Sequence, residues 1–431
     1  MAQNTSKTMR NEVMYQIFVR NFSESGKFEA VIPELDRIKE LGVSIIWFAP
    51  IHPIGKDCRK GSLGSPYAIS DYRKINPEYG TMEDFKKVVS EIHKRGMKCI
   101  IDVVYNHTSP DSVLAAEHPE WFYHKEDGSF GNHVGDWSDI IDLDYSNKDL
   151  WEYQIESLKM WAEIVDGFRC DVAPLIPLEF WKKARREVEE CRPGCIWLSE
   201  SVEPEFITYM REMGLNALSD SEIFQAFDIS YEYDVYSYLT DYLTGKRKLN
   251  EYSEAINRQE YIYPDNYVKL RFLENHDQPR AHFLFPDTDV LINATAFLYF
   301  QKGMTLIYAG QEFGEKHLPG LFDKDYTGFN DKKKVHETDL SNMMKTLSEI
   351  KKNAIFTDSH YKTKALGKDI IVAEHKKGNR SALGVFSLSG KDALIPIYIP
   401  DGIYRNEIDG SGVEVCHSLL SFKGKPIIIL L

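Results

Sequence analysis

Short apolar runs alternate with stretches of helical periodicity along most of this chain. The apolar runs are Val13–Val19, Val43–Phe48, Met97–Val104, Val165–Ala173, Cys195–Ser199, a weaker one within Asn216–Ile229, Val268–Leu273 and Met304–Tyr308. Helical patterns lie between and after them, over Ala30–Leu41, Thr81–Arg95, Asn147–Ile164, Leu178–Glu190, Glu203–Met213, from Asp234 to Leu243, Asp289–Phe300 and Ser341–Lys352. Gly42 and Gly96 stand where the first two helices should stop, and Thr81-Met82-Glu83-Asp84 reads as a helix cap. Eight strand–helix alternations predict an α/β fold, a parallel sheet closed into a (β/α)8 TIM barrel. An open doubly wound sheet would want a phosphate-cradling glycine turn after the first strand, and the chain has none there.

The alternation breaks twice. From Thr108 to Asp144 the chain is rich in Asp, Gly, His and Trp, too long for an ordinary βα connection, and reads as a short inserted lobe after strand 3. Beyond Thr357 the texture changes to short strands, Ile370–Glu374, Ala382–Ser387, Ala393–Ile399 and Pro426–Leu430. Turn signals such as Lys377-Gly378-Asn379 and Asp401-Gly402 separate them, which predicts a C-terminal antiparallel β domain. The expected organisation is a barrel over residues 1–107 and 145–358, a lobe over 108–144 and a β-sandwich over 359–431.

Composition narrows the function. A net charge of −14 leaves no surplus of Lys and Arg for phosphates, so nucleic acid is not an expected partner. No apolar stretch reaches the roughly 18 residues of a membrane span, and Met1–Glu12 lacks the apolar core of a secretory signal. Six cysteines (58, 99, 170, 191, 195 and 416) show no zinc-type spacing and read as reduced core thiols of a cytoplasmic protein. Aromatic residues make up 13% of the chain, often in polar contexts that suit sugar rings as well as a large core. Oligomeric state is left open.

In such a barrel, chemistry sits at the carboxyl ends of the strands. Those ends carry Asp102, Asn106 and His107, then Arg169 and Asp171, then Glu200, then Asn275, His276 and Asp277. Arg169 and Asp171 share one face of their strand, because side chains two apart point the same way. Taken alone they read equally as a structural ion pair. Asp171, Glu200 and Asp277, delivered from three strands to one rim, suit glycoside hydrolysis, in which one carboxylate attacks the anomeric carbon and one carboxylic acid protonates the leaving oxygen. A third acid can favour the oxocarbenium-like geometry. Arg169 beside Asp171 predicts a carboxylate whose pKa is lowered by the cation, and burial of Glu200 predicts a raised one. His107 and His276 are candidate donors to sugar hydroxyls, with a packed core histidine as the alternative for each. A metal cluster is the competitor, but zinc-type spacing is absent and the acids are interleaved with an arginine.

The same residues carry a family resemblance. Asp102-Val103-Val104-Tyr105-Asn106-His107, Gly167-Phe168-Arg169-Cys170-Asp171-Val172-Ala173, Leu198-Ser199-Glu200-Ser201-Val202 and Phe272-Leu273-Glu274-Asn275-His276-Asp277 resemble, in order, the four signatures of the α-amylase superfamily, glycoside hydrolase family 13. Pro66-Tyr67, Asp71-Tyr72, Asp142-Leu143-Asp144 and Ala309-Gly310-Gln311-Glu312 are supporting matches. The resemblance implies a retaining enzyme acting on α-glucan oligosaccharides, with Asp171 as nucleophile, Glu200 as acid/base and Asp277 as stabiliser. It places Arg169, His107 and His276 around the sugar and Tyr67 under it. A glucanotransferase or glucoside isomerase with the same three acids is the alternative. Many members carry Lys-His after the second signature, where this chain has Pro174-Leu175. Asn106 holds a position that often ligates structural calcium. Asp136, Asp139 and Asp142 are candidate co-ligands, read instead as solvated loop acids, so no metal or cofactor is assigned.

Overall fold

Eight parallel strands close on themselves: β1 (Val13–Ile17), β2 (Ile45–Phe48), β3 (Lys98–Val103), β4 (Gly167–Cys170), β5 (Ile196–Ser199), β6 (Ile229–Tyr231), β7 (Val268–Arg271) and β8 (Met304–Tyr308). Each pairs with its sequence neighbour, and β1 also pairs with β8, Val13 opposite Thr305, which completes the barrel. The computed structural model describes residues 5–135, 137–331 and 333–431. Strand residues alternate between two cores. Met14, Ile45, Trp47, Ile100, Leu198, Leu270 and Leu306 fill the barrel interior, while Tyr15, Ile46, Ile101, Phe168 and Ile307 face the surrounding helices. Burial on both faces is why these strands read as unbroken apolar runs rather than as alternating ones.

The helix predicted from the Thr81 cap forms over Met82–Lys94, with the Thr81 hydroxyl and the Asp84 carboxylate each taking up the other's backbone N–H. The weaker run within Asn216–Ile229 is not a strand. Asp220–Ile223 is a helical turn, and β6 begins only at Ile229. Ser219 N–H and Oγ both donate to Glu222 Oε2 at 2.7 Å, a start signal that the apolar pattern obscured. A helix over Leu249–Ile262 was also not anticipated. Lys269 and Arg271 of β7 turn outward beneath the helices, fully buried. Lys269 Nζ pairs with Asp220 and with Asp234 Oδ1 (3.0 Å), and Arg271 Nη1 with Glu232 Oε2 (2.8 Å).

Between β3 and β4, His107–Thr108 pairs antiparallel with Ile141–Asp142 and pinches off the inserted lobe. The chain after the barrel forms eight strands rather than the four expected: β9 (His360–Leu366), β10 (Ile370–Lys377), β11 (Arg380–Ser387), β12 (Asp392–Pro396), β13 (Gly402–Arg405), β14 (Gly412–Cys416), β15 (Leu419–Lys423) and β16 (Ile427–Leu430). They make two four-stranded antiparallel sheets, β9-β10-β11-β16 and β12-β15-β14-β13, around Val385, Ile395, Val415, Leu420 and Phe422. Of the unanticipated strands, β9, β14 and β15 bury only alternate residues and β13 is mostly exposed, so no apolar run marks them. The run expected to reach Ile399 stops at Pro396, opposite Leu419, where the partner strand ends in a turn through His417 and Ser418. Phe386 of β11 packs on Phe297 (5.3 Å) and Phe300 (5.5 Å) of a barrel helix.

The cysteines correct one expectation. All six are free thiols, but only Cys99, Cys170 and Cys195 are buried, while Cys58, Cys191 and Cys416 are exposed. Among the described residues no helix is long and apolar enough to cross a membrane.

Candidate active site

Arg169 is the hub of the barrel mouth. It lies opposite Asp102 in the β3–β4 register, and its side chain is fully buried. Nη1 donates to Asp102 Oδ1 (2.8 Å) and Asp171 Oδ1 (2.6 Å). Nη2 lies 2.8 Å from Glu200 Oε1, an ionic contact out of line for a hydrogen bond. Trp47, Tyr67 and Tyr231 box the guanidinium at 5.4, 5.7 and 5.5 Å from their ring centres. The acids stand where they do because the strand ladders run one residue past their ends. Asp171 N–H donates to Val103 O and Glu200 N–H to Cys170 O, each at 3.0 Å.

Immediately after Asp171 the backbone is strained. Val172 has φ +34°, a left-handed conformation that is rare for a β-branched residue and costs of order 1–3 kcal/mol. The turn aims the Val172 N–H at Glu200 Oε2, at 2.8 Å. Glu200 is thus held from two sides, by a backbone donor and by the guanidinium.

One cation serves three buried carboxyl groups, and that imbalance sets their protonation. Burial pushes Asp171 up to about 6 against the pull of Arg169, and the charges of Asp102 and Asp277 add to the rise. Arg169 does pull this pKa down, but the expectation of a net lowered value is corrected, because desolvation outweighs the ion pair. Asp102 is pushed up to about 7 by burial, again opposed by Arg169. Glu200 is raised well above the usual carboxyl range by burial, with Arg169 pulling it down and the charges of Asp171 and Asp277 pushing it further up. The two candidate catalytic carboxyls are thus driven apart: Glu200 is pushed well above the usual carboxyl range, while Arg169 holds Asp171 down to about 6.

A relay of neutral groups forms one wall. Gln16 Nε2 donates to His276 Nδ1 (2.6 Å), leaving Nε2–H to face the Tyr67 hydroxyl, which in turn donates to Asp102 Oδ2 (3.3 Å). The Tyr67 and His276 rings stack at 5.5 Å, and His276 Nε2 is also 3.0 Å from Asp277 Oδ2. Burial pushes both His276 and His107 down to about 4, so both rings are neutral. Both ring nitrogens of His276 are thus in contact with protein groups, Gln16 on one side and Tyr67 and Asp277 on the other. Trp137 of the lobe leans on His107 at 5.7 Å.

These walls enclose a cavity of about 350 Å³, lined by Asp171, Glu200, Asp277, Tyr67 and His107 together with groups from three loops. Arg169 and His276 sit behind that lining. Five of the seven residues singled out from sequence thus meet at one surface, and the other two hold them there. Sequence reasoning missed Lys60, Trp137, Leu321 and Phe322 of the lining, and Trp47 and Tyr231 of the guanidinium box. The lining residues lie on irregular loops, where no periodicity marks them. The box residues point into the barrel, a position that the alternation of β2 and β6 would have located.

The described calcium candidates contact other protein groups. Asp136 lies outside the described residues. Asp139 and Asp142 are buried rather than solvated, as if loop acids had been turned inward to find partners. Asp139 pairs with Lys60 at 2.8 Å, and Asp142 Oδ2 takes the backbone N–H and ring Nδ1 of His133, each at 2.7 Å. Asn106 Nδ2 is turned to His107 Nδ1 at 3.2 Å. Among the described residues no group of three or more His, Cys, Asp or Glu could hold a metal ion.

Comparison with known proteins agrees with this geometry. The family described as "Alpha amylase, catalytic domain" matches residues 16–118 and 110–386, and "Bacterial Alpha amylase C-terminal domain" matches residues 362–429. The crystal structure of an α-amylase from Lactobacillus plantarum is 44% identical, covers 99% of this chain and 100% of that chain, and superposes with a TM-score of 0.95. That of a noncanonic maltogenic α-amylase from Thermotoga neapolitana is 33% identical, covers 98% and 99%, and has a TM-score of 0.86. Alpha-amylase MalA of Haloarcula japonica is 26% identical over 319 residues, 71% of this chain and 44% of that protein. The chain spans about half the length of the first curated relatives it matches. With the catalytic family matching well over half of its residues and its four signatures gathered on one barrel mouth, this chain belongs to the α-amylase superfamily, glycoside hydrolase family 13.

Proposed function

We propose that the protein is a retaining α-glycoside hydrolase that cleaves α-glucosidic bonds in maltooligosaccharides, dextrins or starch-type glucans. The observation that carries this is the convergence of Asp171, Glu200 and Asp277 on one cavity, with Asp171 and Glu200 sharing one buried guanidinium. The α-amylase names of the relatives support the substrate class. In this reading Asp171 attacks the anomeric carbon while the Glu200 proton passes to the glycosidic oxygen. A covalent glycosyl-enzyme forms and the aglycone departs. Glu200, now a carboxylate, takes a proton from water, which attacks the same face and returns Asp171 to its carboxylate. Asp277 and Tyr67 border the ring as positive charge develops on it, and Arg169 keeps Asp171 aimed. Retaining enzymes hold their two carboxyls about 5–5.5 Å apart, and a single guanidinium touching both supports that spacing.

Transfer to a sugar acceptor is a second reading, and one observation favours it. A separate cavity of about 360 Å³, between the lobe and the segments after β4 and β5, is lined by Val134, Leu175, Met210 and Leu215 together with the polar groups of His133, Asp142 and Asp144. Leu175, where many family members carry histidine, gives that side an apolar surface able to take a sugar face. The barrel assigned to 1–107 and 145–358, the lobe to 108–144 and the sandwich to 359–431 complete the proposed organisation. Six free thiols support a reducing, cytoplasmic setting.

Maltotriose turnover followed by proton NMR tests the central reading. Glucose and maltose should appear with the α-anomer formed first, and Asp171→Asn should abolish turnover. Early longer oligomers would favour transfer, β-anomer formed first would refute retention, and wild-type turnover by Asp171→Asn would refute the nucleophile.

A further inference from the structure

One side of the cavity is closed by three chain segments that are fastened to one another. They are the β2 loop at residues 55–64, the β8 loop around residues 320–323, and residues 137–140 of the lobe. Lys60, Leu321, Phe322, Trp137 and Asp139 all face the cavity.

The fastening is unusually complete for loops. Leu63 N–H donates to Phe322 O (3.0 Å), and Ser62 donates to Asp323 Oδ1 through both N–H (2.8 Å) and Oγ (2.6 Å). Gly61, at φ +63°, approaches so closely that a Cβ there would meet Phe322 Cβ at 2.6 Å. Beneath both loops, fully buried Arg20 donates from Nη1 to Gly64 O (2.9 Å) and Leu321 O (2.7 Å), and is itself paired with Glu78. Two links join the β2 loop to the lobe. Lys56 N–H donates to Asp111 Oδ2 (2.8 Å), and Lys60 Nζ pairs with Asp139 Oδ1 (2.8 Å) across the cavity lining.

The position of this wall gives it meaning. Around the barrel the strand order places β5, which carries Glu200, diametrically across from β1. The β2 and β8 loops flank β1, and Arg20 follows it. The leaving group must lie on the Glu200 side, because Glu200 protonates it. In an α-1,4 chain the ring held at Asp171 leaves through its C1 and carries the rest of the glucan on O4, which points the other way. That O4 faces the fastened wall.

Resting on the hydrolase reading above, we propose that this wall ends the donor side of the cleft, so that the enzyme takes glucans by a free non-reducing end, and that Lys60 is a specificity-determining residue through its pairing with Asp139. The cavity volume agrees: about 350 Å³ lies at the small end of ligand sites, roughly 300–1,000 Å³. A chain whose terminal ring is enlarged at O4 and O6 has no room there, whereas an open-ended cleft would thread it.

The test uses nitrophenyl maltoheptaoside with its terminal O4 and O6 free or blocked by a benzylidene acetal, comparing kcat/KM on the full-length protein. The wild type should discriminate against the blocked chain by at least about 100-fold, the upper range that a closed pocket achieves against added bulk. Lys60→Ala, and independently Asp139→Asn from the lobe side, should raise the blocked-to-free ratio at least about tenfold by releasing the lobe from the loop. Cleavage of both chains at similar rates by the wild type would overturn the closed wall. Rejection by the wild type with the ratio unmoved in both variants would overturn the part given to Lys60. Failure to cleave even the free chain would instead overturn the hydrolase reading, and with it this inference.

Discussion

Replacing Arg169 by methionine removes a cation that contacts three buried carboxyl groups, and its consequence is calculable. Asp171 Oδ1 is 2.6 Å from Nη1, and both side chains are almost completely shielded from water. Opposite charges whose centres are about 4 Å apart interact by about 4 kcal/mol at an effective dielectric of about 20. At 1.36 kcal/mol per unit, losing that attraction raises the Asp171 pKa by roughly 3 units. Part of this is offset, because Asp102 loses the same partner and stays neutral, withdrawing a charge that had itself raised Asp171. The net expectation is a rise of roughly 2 units from about 6. The acid limb of kcat/KM on maltotriose, followed from pH 4 to 10 by glucose release, should move from near 6 to near 8. Near neutral pH, kcat/KM should fall at least about tenfold, and much of that loss should return as the pH is raised. A residue that only held the site in shape would lower the whole profile without moving its limb. An acid limb within about half a unit of the wild type, in a variant with native circular dichroism, would refute the electrostatic account.

Three further outcomes follow from other contacts. Glu200→Gln should lower kcat/KM on maltotriose by about 10²–10⁴ and far less on maltosyl fluoride, whose leaving group needs little proton assistance; equal losses on both would count against Glu200 as the acid. Lys269→Ala leaves Asp220 and Asp234 buried without their cation and should cost about 3–5 kcal/mol in urea unfolding, with the pH profile of activity unchanged. Lys351 is buried with Nζ on the carbonyls of Tyr299 and Gln301, and burial depresses its pKa from 10.5 to about 7. Above pH 7 the unfolded chain therefore binds more protons at this group than the native one, so its contribution to stability should rise between about pH 7 and 10.5 and fall away as the pH drops. Lys351→Met should flatten that rise and stabilise the protein at neutral pH by up to roughly 4 kcal/mol; an unchanged slope in calorimetry would contradict it.

How much of this was legible in the chain depends on what each feature is made of. The barrel strands announce themselves because burial on both faces forces continuous apolar runs, and the acids announce themselves because each interrupts or ends such a run. Asp171, Glu200, Asp277, Arg169, His107 and His276 were therefore nameable from order and spacing, whereas Tyr67 came only from the family resemblance. The helical turn at Asp220 and the half-exposed strands β9, β14 and β15 were not. Their stability comes from a capping carboxylate or from one buried face, and alternation with polar residues hides both.

Three matters were decided only by tertiary structure. The first is protonation: sequence puts Arg169 beside Asp171, but only the folded barrel adds Asp102 and Glu200 to the same guanidinium and removes water from all of them, so burial wins over the ion pair. The second is the role of His276, whose ring is held between Gln16 and Tyr67, residues remote from it along the chain. The third is the wall of Lys60, Asp139 and Phe322, built from three loops with no shared pattern. Local sequence settles which groups exist and on which strand face they stand, since backbone geometry is periodic. Which charges share a dielectric, and which loops meet, depends on closing the barrel and folding the lobe over it.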